Sequence, residues 1–342
     1  MAGAVALALA LLGSQLLFGQ EAIVFQQPAE AVNTPEAIRL SKGLFFSTFL
    51  STTGEKSCAS CHDPARGWSD GRSVSRGVNG LDGIRRASPI EDACFERAQF
   101  RDGRGDFLEG QCSQPLVAAA EMGQQNLQDV CNRLNQISYF RDQFVGVFGQ
   151  QANPTNLILA IPAFERTVIH GEAPIDRRIA GQRHVWDEDT ERGYTLFASA
   201  GCTNCHSGDT FSDGNFHDIL GATVDRNGNR DRGRQNATKN QSDADLFKTP
   251  RLRDVAKRAP YGHSGQFRTM AEMVHYLNNP TAGVEIGPLR LDAHDEACLT
   301  LFMLTAFESY DAPFAVAPAD LPIDNRASLP RMAQDQGRRR RR

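Results

Sequence analysis

Cys58-Ala59-Ser60-Cys61-His62 is the stretch on which the reading of this chain turns. Two cysteines three positions apart, with a histidine directly after the second, form an attachment site for a c-type haem. The thiols add to the porphyrin vinyl groups as thioethers and the imidazole becomes an iron ligand. The pattern returns at Cys202-Thr203-Asn204-Cys205-His206. A structural zinc site is the rival reading, but its cysteine pairs usually stand roughly 15–20 residues apart, and more than a hundred residues lie between Cys61 and Cys202. Two covalently bound haem c groups are therefore expected, attached through Cys58, Cys61, Cys202 and Cys205, with His62 and His206 on the irons.

Outward from each motif the pattern is helical. Thr34-Pro35-Glu36 is a helix start, with a capping threonine and a proline at the first helical position, and Ala37, Leu40, Leu44 and Phe45 follow at helical spacing. Glu191 to Phe197 runs into Cys202 in the same way, so the halves look like internal copies. Helical spacing also marks Leu127 to Phe148, Asn156 to His170 and Leu299 to Phe307, and Thr269 with Glu272 reads as a capping box. After His62 a run of Gly, Asp and Asn excludes long elements up to Gly83 and predicts a loop that wraps a haem edge. The polar stretch Ile175 to Asp189 is the best domain boundary. It divides a first haem domain over 21–178 from a second over 179–320.

With 342 residues and a formal net charge of -4, the chain has no broad basic surface, which excludes a nucleic-acid partner. Arg338 to Arg342 is the exception, closing a tail over 321–342 that reads as disordered and basic. Residues 1–20 hold an apolar run from Ala4 to Leu12 and read as a secretory signal peptide. Haem c is attached outside the cytoplasm in bacteria, so the expected location is the periplasm. Cys94, Cys112, Cys131 and Cys298 remain after the haem sites. An even remainder in an oxidising compartment suggests disulfides, with buried free thiols as the alternative.

The chain resembles the bacterial di-haem cytochrome c peroxidase and MauG family. The match runs through Phe45, Ser57 to Pro64, Asp102-Gly103-Arg104, Glu121-Met122-Gly123, Ala163-Phe164-Glu165-Arg166 and Phe216-His217. It continues at Phe247-Lys248-Thr249-Pro250 with Leu252-Arg253, and at Ala259 to Gly265. The resemblance implies a mainly α fold of two cytochrome-c-like haem domains with long loops. The amino-terminal haem would meet peroxide and the carboxy-terminal haem would store or pass electrons.

Several positions depart from the family. Val78 stands where peroxidases that need reductive activation carry a distal histidine, and MauG-like members also lack it. Glu121 matches the family's distal glutamate and is the expected catalytic acid-base group. Arg101 replaces the tryptophan between the haems, leaving Trp68 or a tyrosine as the remaining candidates for that place. Ala87 replaces the asparagine that supplies the family's calcium with its side-chain ligand, which argues against calcium. Leu277 falls at the second haem's sixth-ligand position, so Tyr276, Met273 or an open iron are the alternatives. The expected function is a periplasmic di-haem peroxidase using hydrogen peroxide. Its partners would be a small electron-donor cytochrome or cupredoxin, or a protein substrate, with homodimerisation left open. The competing reading is a non-catalytic di-haem electron carrier, which would saturate both irons with His or Met.

Overall fold

The computed structural model describes residues 26–225, 228–309 and 316–328. The expected leader over 1–20 and the arginines at 338–342 lie outside the described residues. Helix α1 (Pro35–Phe46) starts as its sequence demands: Thr34 accepts the Ala37 N–H at 3.2 Å, and Pro35 occupies the first turn. It buries Leu40, Leu44 and Phe45 completely, each worth roughly 1.5–3 kcal/mol. Against it pack α2 (Leu108–Val117), α3 (Leu127–Asn135), α4 (Ser138–Phe148), α5 (Pro154–Ala160) and α6 (Pro162–Glu165).

The two long helices expected here are each broken. Gln136 and Ile137 separate α3 from α4. Pro162 opens a new helix after α5, which then stops at Glu165 instead of His170. Proline removes a backbone donor and ends the ladder it enters.

A second core begins at Ala173 and Ile175, both fully buried with Phe197, Phe302 and Phe307. Core membership therefore changes between Val168 and Ala173, ahead of the polar stretch that marked the boundary in the sequence. That stretch itself forms α7 (Pro174–Ile179) and leads to α8 (Glu188–Ser199), capped by Asp187 through the Thr190 N–H at 2.8 Å. After the short helix α9 (Gln235–Thr238) come α10 (Met270–Asn278) and α11 (Ala293–Thr305). Helices α8 and α11 cross so closely that a Cβ on Gly193 would lie 2.2 Å from the Cys298 carbonyl oxygen, so only glycine is tolerated. Two-residue strands complete the unit, Phe216–His217 pairing with Phe247–Lys248 and Thr223–Val224 with Arg230–Asp231. The fold is mainly helical.

Arg85 joins the two cores, reaching Asp102 on one side and Asp231 on the other, both at 2.7 Å. The chain then returns to its starting point. Asp320 pairs with Arg39 at 2.9 Å, and Arg326 donates to the carbonyls of Thr48 (3.2 Å) and Thr52 (3.3 Å). Residues 321–328, expected to belong to the disordered tail, thus dock on the first core and end in a short helical turn, Asn325–Ser328. The expected disulfides are absent as well. All eight cysteines are unpaired; Cys112 and Cys131 are buried in the first core, Cys94 beside Ala93 and Leu108, and Cys298 on α11. No helix among the described residues is long and apolar enough to cross a membrane.

Candidate active site

The two motifs fold alike. Cys58–Ser60 and Cys202–Asn204 are single helical turns, in each of which the histidine N–H bonds back to the first cysteine's carbonyl, at 2.9 and 2.8 Å. His62 Nδ1 donates to the Trp68 carbonyl at 3.3 Å, and His206 Nδ1 donates to the Phe211 carbonyl at 2.9 Å. A carbonyl can only accept, so in both rings Nδ1 carries the proton and Nε2 presents its lone pair. That is the tautomer an iron-binding imidazole needs. Burial lowers the pKa of both rings and so favours this neutral form.

A cavity of about 410 Å³ opens beside Cys61 and His62, and it continues past them into a pocket of about 60 Å³ that reaches Cys58. Glu121 lines both spaces, and among the described residues no donor holds its carboxylate. Burial pushes this carboxyl above the usual carboxylate range, with Arg104 pulling weakly the other way. Its backbone is fixed: the Glu121 carbonyl accepts the Val78 N–H at 2.8 Å. Val78 is 2% exposed and packs on Gly123 rather than lining the cavity. Gly77 lets the strands touch, because a Cβ there would sit 2.1 Å from the Ala120 carbonyl oxygen. The loop after the first motif is therefore clamped onto the turn that presents Glu121, and His62 is the only described histidine on this cavity.

Cys202, Cys205 and His206 border a second cavity, of about 290 Å³, which is walled by apolar side chains of α10 and α11. Met273 and Leu277 line it. Tyr276 does not; its hydroxyl donates to the Ile219 carbonyl at 2.9 Å and its ring packs on Phe267. His263 and His217 also border it, as residues with other partners: His263 stacks on Phe247 and meets Thr223 Oγ1 at 2.8 Å, and His217 sits between Glu285 and Asp213.

The profile of the family described as di-haem cytochrome c peroxidase matches residues 35–184. The methylamine utilization protein MauG of Methylorubrum extorquens is 35% identical over 281 residues, covering 80% of this chain and 78% of that protein. This chain belongs to the di-haem cytochrome c peroxidase and MauG family. The cytochrome c551 peroxidase of Pseudomonas aeruginosa is 33% identical over 258 residues, 73% of each chain. The crystal structure of a MauG-like protein associated with microbial copper homeostasis superimposes with a TM-score of 0.75 at 25% identity, over 88% of this chain and 97% of that one. Family membership makes the chain a haem-dependent enzyme with haem c as its cofactor. The residues suit that group. The second cavity has two thiols and an oriented imidazole on its edge, the first has Cys61 and His62 with Cys58 on the adjoining smaller pocket, and both main volumes lie near the roughly 300–1,000 Å³ of cofactor pockets.

Within this family member, two features escaped the sequence reading. Glu165 lines the first cavity beside Glu121, and burial pushes its pKa to about 7. The signal was an acid inside the apolar run Ile161-Pro162-Ala163-Phe164. The other feature is the partition. Arg86, Pro89, Arg101, Lys248, Pro250 and Arg251 each line both cavities. Among the described residues no tryptophan or tyrosine lines both cavities. Trp68 packs edge-on against Phe45 and Phe164 behind His62, and Trp186 packs on Tyr194 and Phe302. Calcium does not fit the place the family reserves for it. Arg86 Nη2 donates to the Arg258 carbonyl, Ser69 Oγ donates to the Ala87 carbonyl at 3.0 Å, and Ala87 has no side-chain oxygen to offer.

Proposed function

We propose that this chain is a periplasmic di-haem c-type peroxidase that takes hydrogen peroxide as oxidant and is MauG-like in keeping its amino-terminal haem open. Cys58, Cys61 and His62 would hold that haem; Cys202, Cys205 and His206 would hold the second. The units would divide the work, the first meeting peroxide and the second passing electrons from a small cytochrome or cupredoxin, or from a protein substrate. When bound, haem supplies a redox centre able to accept two oxidising equivalents from peroxide.

The observation that carries the reading is the pairing of Glu121 with His62 on one cavity, while Val78 is held outside it. Peroxide needs a base for the proton on its inner oxygen and an acid for its leaving outer oxygen, and a single carboxylate can serve both. Glu121 has no competing donor, and its burial raises its proton affinity. Its Oε atoms can therefore take the proton and return it. Exclusion of bulk water falls to Met122, Leu116 and Ile161 around the smaller pocket. Among the described residues the partition offers no side chain that is oxidised reversibly, which speaks against storing an oxidising equivalent there.

Stopped-flow mixing of the fully oxidised protein with peroxide tests this. The wild-type amino-terminal haem should be high-spin and react without prior reduction. Glu121→Gln keeps the volume and loses the proton acceptor, so cleavage should slow by about 10²–10⁴. An inert wild type, or a variant as fast as wild type, favours the electron-carrier alternative.

A further inference from the structure

The partition between the cavities carries more positive charge than the chain neutralises. Around it Arg85 pairs with Asp102 and Asp231, Lys248 and Arg251 share Glu96, and Arg258 pairs with Glu91 at 2.5 Å. Arg101 stands among these pairs with no carboxylate of its own among the described residues. Its Nε is buried and has no hydrogen-bond partner, while its backbone is fixed by the Lys248 N–H on the Arg101 carbonyl at 2.8 Å. Arg86 is nearly as bare, touching only the Arg258 carbonyl and, at 3.5 Å, Ser69 Oγ, with its own Nε unpartnered. Burial and the neighbouring guanidinium of Arg86 press the Arg101 pKa down to about 9, which leaves it charged at neutral pH.

An uncompensated buried cation costs several kcal/mol, so a fold that keeps one holds an anion against it. Both residues line the two cavities. The anion must therefore enter with whatever fills those cavities. Given the di-haem reading above, on which this inference rests, each cavity receives a group that carries two carboxylates on its porphyrin edge. We propose that Arg101 is a shared anchor for haem propionates from both sites, with Arg86 as its auxiliary. The positive charge of Arg101 then acts on both irons at once. It stabilises the reduced, more negative state of each, so both midpoint potentials are set partly by one side chain.

Spectroelectrochemical titration and resonance Raman spectroscopy of the di-haem protein test the assignment through Arg101→Met, which keeps an unbranched apolar stem and loses the charge, and Arg101→Lys, which keeps charge. In Arg101→Met both midpoint potentials should move negative together, and the propionate bending bands of both haems should shift. Arg101→Lys should restore the potentials most of the way. A shift confined to one haem, or none in either potential, overturns the shared anchor. If Arg101→Met fails to fold, the propionate bands of Arg101→Lys decide: loss of the planar guanidinium fork should shift the bands of both haems, and unchanged bands overturn the proposal. Mass spectrometry on the same samples counts the haems, so that a chain with fewer than two refutes the di-haem reading and not this inference.

Discussion

The two cavities share one design on the side of the motif and diverge on the side opposite. Each has a cysteine-bearing turn and an imidazole whose Nδ1 is held by a carbonyl five or six residues on. Facing His62 are acids, Glu121 and Glu165; facing His206 are Met273, Leu277 and the apolar sides of α10 and α11. What would bind the cofactor is thus common to both halves, and what surrounds it is local to each. A polar pocket with an unengaged carboxylate can move protons. An apolar one excludes water and keeps reorganisation small, which suits electron transfer.

The largest test separates the halves outright. Replacing Cys58 and Cys61 by alanine should leave one covalent haem per chain by mass, and the surviving haem should be slow with peroxide. Replacing Cys202 and Cys205 should also leave one haem, but this one should still react. If both single-haem proteins react alike, the division between the cavities is broken.

Next in size is the partition itself. Arg85→Met leaves Asp102 and Asp231 buried without their shared partner, and removal of one member of a buried pair costs about 3–5 kcal/mol. Burial alone would raise the Asp231 pKa, but the hydrogen bonds and charge of Arg85 outweigh it and hold the carboxyl below the usual range. A depressed carboxylate stabilises the fold above its unfolded pKa of roughly 4, and that contribution is lost as pH falls through the folded value. Denaturant titrations should therefore show the gap between wild type and Arg85→Met narrowing below about pH 4.

The smallest test sharpens the second cavity. Met273→Leu should cost under about 1.5 kcal/mol because the volume is kept, yet it should convert the low-spin spectrum of that haem if the thioether ligates. Tyr276→Phe should leave the spectrum unchanged and remove about 1 kcal/mol, the worth of its bond to Ile219. A spectral change in Tyr276→Phe alone would reverse this assignment.

Much of this was legible in the residues, for a physical reason. Covalent attachment demands a fixed spacing, so Cys58 to His62 and Cys202 to His206 could be read directly, as could the caps at Thr34 and Thr269. The side opposite was harder because it is assembled from distant segments. Nothing near Tyr276 in the chain says that Ile219 lies beside its hydroxyl, and nothing near Arg101 says that it faces two cavities. Disulfides were inferred from an even number of cysteines, but Cys94, Cys112, Cys131 and Cys298 are all buried and unbonded, even Cys112 and Cys131, which share the first core, so each thiol acts as a small apolar side chain. Residues 321–328 were misjudged from composition, because Arg326 looks solvated until its carbonyl partners on the first core are known.

That returning segment changes what the chain can do mechanically. The second core is bound to the first at its entry, near Ala173, and again beyond its exit, where Leu321 and Arg326 dock beside α1. A body held to another at two points of the chain re-docks at an effective concentration set by the chain, not by free diffusion. The segment from Asp320 to Arg326 is thus a clasp on the first core that borders neither of the two cavities.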